Sequence, residues 1–174
     1  MTETDREPVL TGGCQCGAVR YALYAAPEGT HLCHCRMCQK AVGNVFAALA
    51  PVRRADFAWT RGRPAMFLSS TVAERGYCAD CGTPLSFGYR DSAWIDVTIG
   101  SLDAPERAPP DRHYGTEAAV PWLHLADPWP RSTTEADMAA DRQANLRTFQ
   151  HPDHDTADWL ASAPAREPLP EGCG

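Results

Sequence analysis

The sequence lacks a basic excess, a long apolar run, an export-type leader, an internal repeat beyond paired cysteines, and any low-complexity tract. Each absence argues against a class of function. Sixteen Lys and Arg stand against 22 Asp and Glu, for a net charge of −6. A nucleic-acid groove needs a basic footprint, so no nucleic-acid partner is expected. Arginines do gather at Arg53, Arg54, Arg61 and Arg63, but Asp56 interrupts them and a solvated surface accounts for them. The longest nearly apolar stretch, residues 45–52, falls well short of a membrane span, so no membrane partner is expected either. The first ten residues, MTETDREPVL, are polar and acidic, unlike a basic segment followed by an apolar one. These features predict a cytoplasmic protein with reduced thiols, in which clustered cysteines point to metal rather than disulfides.

What the chain does have is cysteine. Seven of its eight cysteines form three clusters: Cys14-x-Cys16, Cys33-x-Cys35-x-x-Cys38 and Cys78-x-x-Cys81; Cys173 stands alone near the C-terminus and is assigned no role. Seven divides naturally into four plus three. Four thiolates close a structural tetrahedral zinc site, and three hold a second ion with one position left for chemistry. Two zinc ions per chain are therefore expected. Seven thiolates against two divalent ions would deepen the acidic balance.

Glycine placement separates the clusters. Gly17 follows Cys16 and Gly82 follows Cys81, about 60 residues apart. A glycine there allows positive φ, so the backbone can turn tightly and aim N–H groups at sulfur. Two such knuckles predict one site built from Cys14, Cys16, Cys78 and Cys81. No glycine stands behind Cys38. CRMCQKAV (35–42), stopped by Gly43, instead predicts a short helix on which Cys35 and Cys38 share a face, with Cys33 reaching in from the preceding segment. The helix N-terminus favours their negative charge. Three arrangements follow for this cluster: an open or water-filled fourth position, a site closed by a protein ligand, or a metal-free thiol group. His34 is the local fourth candidate, but extended backbone turns it away from its neighbours; His31 and His113 are more distant options.

The remaining texture predicts a mainly β protein of one domain, with short antiparallel strands. Strands are expected at 18–24, 45–51, 57–60, 65–68, 74–77 and 93–100, with Ile95, Val97 and Ile99 on one face of the last and Trp94, Asp96 and Thr98 on the other. Asp96 and Thr98 are expected on a solvated face, with a pocket wall as the alternative. Ten of the fifteen prolines lie in 101–174, which predicts an extended wrap that buries Trp122, Leu123, Leu125 and Trp129. One helix is expected over 135–149, with Met138, Leu146 and Phe149 near a common stripe, and a mobile tail from Pro152. The domain divides as a tail at 1–9, a zinc domain at 10–130 and a C-terminal extension at 131–174, partly helical or mobile.

GGCQCGAVRY (12–21), CHCRMCQKAVG (33–43) and ERGYCADCGTPLSF (74–87) resemble the glutathione-dependent formaldehyde-activating enzyme family, which includes centromere protein V type domains. IDVTIGSLD (95–103) and PWLH (121–124) resemble two further blocks in the same order. The resemblance implies a β-tent fold with two zinc sites, structural at Cys14, Cys16, Cys78 and Cys81 and catalytic at Cys33, Cys35 and Cys38. It also implies a carbon–sulfur lyase that acts on glutathione and formaldehyde, or on a similar thiol–aldehyde adduct. The alternative is a non-catalytic zinc module for protein interaction, with a closed or empty second site and an apolar patch nearby. His34 and His113 are acid–base candidates, and Arg36 and Lys40 could bind a peptide carboxylate. Met37 is expected to pack on the helix, His124 against its tryptophan neighbour, and most of the five tryptophans in the core, with a pocket wall as the alternative. Asp80 is expected to be exposed. His151 and His154 fit adventitious metal or a polar tail. A homo-oligomer is possible, with the C-terminal wrap capping a partner subunit.

Overall fold

The computed structural model describes residues 6–148. The expectations for Phe149, His151, His154, Trp159, Cys173 and the tail from Pro152 lie outside that range. Ten strands form the frame: β1 (Leu10–Gly13), β2 (Arg20–Leu23), β3 (His31–Cys33), β4 (Ala47–Arg53), β5 (Phe57–Arg61), β6 (Ala65–Leu68), β7 (Ala73–Tyr77), β8 (Pro84–Tyr89), β9 (Trp94–Thr98) and β10 (Arg112–Tyr114). Between β3 and β4 lies α1 (Arg36–Val42); α2 (Thr134–Asp137) and α3 (Ala140–Asn145) follow β10. The architecture is mainly β, as the sequence predicts.

The strands make a three-stranded sheet, β1-β2-β5, and a seven-stranded sheet, β10-β3-β4-β9-β8-β7-β6. Every strand pair is antiparallel except β10 with β3. Tyr21 and Leu23 of the smaller sheet share one core with Ala50 and Val52 of β4, Leu85 of β8, and Ile95 and Val97 of β9. Alternation along a strand sends neighbouring side chains to opposite faces. Leu49, Pro51, Phe87, Tyr89 and Asp96 therefore stand on the far face of the larger sheet, where they line a cleft. Asp96 belongs to a pocket wall, not to a solvated face. Thr98 donates to the Pro84 carbonyl at 2.7 Å, which ties β9 to β8.

The first five predicted strands appear with ends shifted by two residues or fewer. β9 is shorter than 93–100, because Ile99–Ser101 closes into a 3₁₀ turn, although Ile99 stays in the core. The single helix expected over 135–149 is a correction. Met138 is extended (φ −79°, ψ 130°), so the segment splits into α2 and α3. The extended wrap expected after residue 100 lies where predicted, but Trp122 is 70% exposed and His124 is exposed too. Among the described residues, Trp59 is the tryptophan that packs on the core, edge-on to Tyr21 and Phe57. No helix among the described residues is long and apolar enough to cross a membrane.

Candidate metal centre

The four-cysteine group joins the two sheets. Cys14 and Cys16 lie in the β1–β2 turn and Cys78 and Cys81 in the β7–β8 turn, and their four sulfurs lie within 4.8 Å of one another. Gly17 and Gly82 both have positive φ, 78° and 77°, as a tight knuckle requires. The Val19 N–H donates to Cys14 Sγ at 3.2 Å. Backbone hydrogen bonds from Ala18 and Thr83 serve Cys16 and Cys81 in the same way. Cys14–Cys16 and Cys16–Cys78 sulfur separations are 3.5 and 3.8 Å. A tetrahedron of ~2.3 Å zinc–sulfur bonds places its sulfurs ~3.8 Å apart, so this donor set fits zinc. Asp80, inside the second knuckle, is exposed.

The three-cysteine group is built differently. Cys33 ends β3, Cys35 caps α1 and Cys38 lies on α1, with the Cys38 N–H 3.4 Å from Cys35 Sγ. Their sulfurs also lie within 4.8 Å of one another, and Cys33 to Cys35 is 3.5 Å. This spacing fits a metal ion as well. Among the described residues no histidine or carboxylate joins the group, so His31, His34 and His113 all stand outside it.

Only this second cluster faces the cleft, an opening of about 1050 Å³. The cleft floor is a cross-strand row. Pro51 pairs with Asp96, Asp96 with Phe87, and Phe87 with Arg75. Arg75 and Asp96 therefore flank Phe87 on one sheet face. Arg75 is buried; its guanidinium donates to Cys38 Sγ at 3.3 Å and to Ser69 Oγ at 3.0 Å, and stacks over Phe87. Hydrogen bonds from Cys33 and Cys35, together with the Arg75 charge, hold the Cys38 thiol well below its ordinary range. Burial, then the Cys38 charge, pushes the Asp96 carboxyl up to about 7. Sequence reading missed Arg75, whose only signal was alternation in AERGY.

His34 and His113 meet, but away from the cleft. His34 Nε2 lies 2.8 Å from His113 Nδ1, and His113 Nε2 lies 3.1 Å from both Asp127 oxygens. Phe46 and Trp129 cover the two rings. Neither imidazole lines the cleft. Gln39, buried on α1, donates to the His34 and Ala118 carbonyls at 2.7 and 2.9 Å, which fixes the cysteine loop from behind. Arg36 lines the cleft, and so does Met37, which was expected only to pack; Lys40 is exposed outside it. His31 lines the cleft rim, with Nδ1 3.0 Å from the Gly29 carbonyl, and burial holds it below the usual imidazole range.

The chain is 28% identical over 102 residues to an uncharacterized lyase of Schizosaccharomyces pombe, which covers 55% of this chain and 74% of that protein. A crystal structure of a Rhodobacter sphaeroides protein aligns over 70% of this chain and 99% of its own, with 21% identity and a TM-score of 0.45. The profile of the glutathione-dependent formaldehyde-activating enzyme family matches residues 9–118, a span holding all seven clustered cysteines. The chain belongs to that family.

Proposed function

We propose that this protein is a zinc-dependent carbon–sulfur lyase that makes or breaks the adduct of a small thiol, such as glutathione, with an aldehyde such as formaldehyde. One observation carries this reading: Cys33, Cys35 and Cys38 open onto the cleft, whereas the four-cysteine group does not. Cys14, Cys16, Cys78 and Cys81 are assigned a structural zinc that staples the two sheets. Cys33, Cys35 and Cys38 are assigned the second zinc, and the lyase named in fission yeast supports the reaction class.

When bound at the three thiols, zinc supplies an open position at which a substrate thiol is held as thiolate. Arg75 offsets the negative charge gathered at Cys38. The cleft holds thiol and aldehyde side by side, which supplies the proximity contribution. The sulfur lone pair forms the S–C bond as the carbonyl pair moves onto oxygen. Asp96 takes the thiol proton and returns it to that oxygen; a carboxyl poised near 7 suits both steps. Atoms and charge balance, and the reverse sequence cleaves the adduct. His34 and His113, which the sequence proposed as acid and base, are assigned a positioning role instead.

The test is adduct formation and cleavage, followed by NMR of the thiol-bound methylene, in wild type and Cys35→Ser. Loss of turnover with retention of the four-cysteine metal supports the reading. Equal turnover in the two proteins would sink it.

A further inference from the structure

Resting on the lyase reading, we propose that residues 134–148 form the specificity wall of the cleft and that Arg142 on this wall receives a carboxylate of the thiol substrate. The family match ends at residue 118, so this wall lies beyond the region that the profile describes. Yet Thr134, Met138, Arg142 and Leu146 line the same space as Cys33, Cys35 and Cys38. The segment is pinned at both ends. Glu117 accepts from the Thr134 N–H and hydroxyl at 3.1 and 2.6 Å. At the other end, the Thr71 hydroxyl donates to the Asn145 carbonyl at 2.7 Å, and the Thr71 N–H to the Arg147 carbonyl at 3.0 Å. A segment held this way can present a side chain at a fixed place.

Arg142 is the side chain it presents. Its guanidinium stacks 3.9 Å over the Tyr89 ring, and one terminal nitrogen donates to Asp91 at 3.1 Å. Asp91 is 67% exposed, so water screens that pair, and it occupies only one of five N–H donors. Arg142 Nε is screened from solvent, so the terminal N–H groups beyond the one given to Asp91 are the donors that can meet a ligand from the cleft. Arg75 is committed to Cys38 and Ser69; Arg112 pairs with Asp111 and Arg36 with Gln39 much as Arg142 pairs with Asp91, so Arg142 is singled out by its place on the pinned wall above Tyr89. Met138 and Leu146 stand four residues to either side of Arg142 and lower the local polarity, which strengthens a guanidinium–carboxylate pair.

The experiment measures dissociation constants by calorimetry on the zinc-loaded full chain with two probes, glutathione and its diethyl ester, whose carboxylates are capped. Wild type should bind the acid about tenfold more tightly than the ester, the size of one charge-assisted contact. Arg142→Ala should erase that preference by weakening the acid alone. Arg142→Lys keeps the charge, loses the forked guanidinium donors and should fall between; it serves as the readout should the alanine variant fold poorly. An acid-to-ester ratio unchanged in both variants, or equal weakening of both probes, overturns the assignment. Failure of wild type to bind either probe would remove the lyase reading itself, which separates the two failures.

Discussion

His34 Nε2 and His113 Nδ1 share a hydrogen bond at 2.8 Å, with the two buried rings stacked 5.1 Å apart. The direction of this bond is set by Asp127, which also faces Arg131 at 3.4 Å and as a carboxylate can only accept. His113 Nε2 therefore carries a hydrogen; with His113 as the neutral imidazole its Nδ1 accepts from His34 Nε2, and His34 Nδ1 is then a bare lone pair. That atom is indeed buried without a partner. The chain runs from the cysteine loop through β10 to the segment beyond residue 118. Asp127→Ala strips the acceptor from an imidazole that is 2% exposed. Urea unfolding should show a loss of about 1–3 kcal/mol, the cost of a buried unsatisfied donor. Removal of metal by a chelator should quicken at the three-cysteine group and not at the four-cysteine group.

Gly115 makes a second support. A Cβ there would lie 2.9 Å from the Cys35 nitrogen and 3.0 Å from its Cβ, at a φ of 67° that side chains avoid. Gly115→Ala should cost about 1–3 kcal/mol and displace Cys35. A metal titration should then show weakened binding at one of two sites, while the far knuckles are untouched.

Asp96 predicts a pH signature. Its folded carboxyl titrates near 7 and its unfolded one near the usual carboxylate range, so between those values only the folded state holds the proton. Stability contributed by this group is present at low pH and is lost as pH rises toward 7, by up to ~1.4 kcal/mol per pH unit. Asp96→Asn should remove that slope, seen as a flatter stability profile relative to wild type, while adduct turnover falls sharply. An unchanged turnover would show that proton transfer belongs to another group.

The two cysteine groups should respond oppositely to loss of one ligand. Cys78→Ser removes the staple between sheets, and metal binding at such a site is folding free energy. It should give an unfolded or aggregated chain by circular dichroism. Cys35→Ser should leave a folded chain that retains one zinc.

The sequence made the knuckles legible because glycine position reports backbone conformation directly, and α1 because its residues lack β-branching until the end. Fold class followed from alternation. The cleft was not legible. Arg75 and Asp96 flank Phe87 only through strand register, which residues far apart in the chain decide together. Met138 and Leu146 fit one helical stripe in the sequence, but each lies just past the end of a short helix, in extended backbone, and both face the cleft instead of a core. Asp127 carried no local sign, since its partner His113 lies fourteen residues earlier on an edge strand.

The most direct test is the zinc count per chain, measured by elemental analysis before and after dialysis against a chelator, with and without glutathione. The account predicts two zinc ions, of which one leaves readily and is retained longer when glutathione is present. A single tightly held zinc, indifferent to thiol, would contradict the assignment of Cys33, Cys35 and Cys38 as the reactive site.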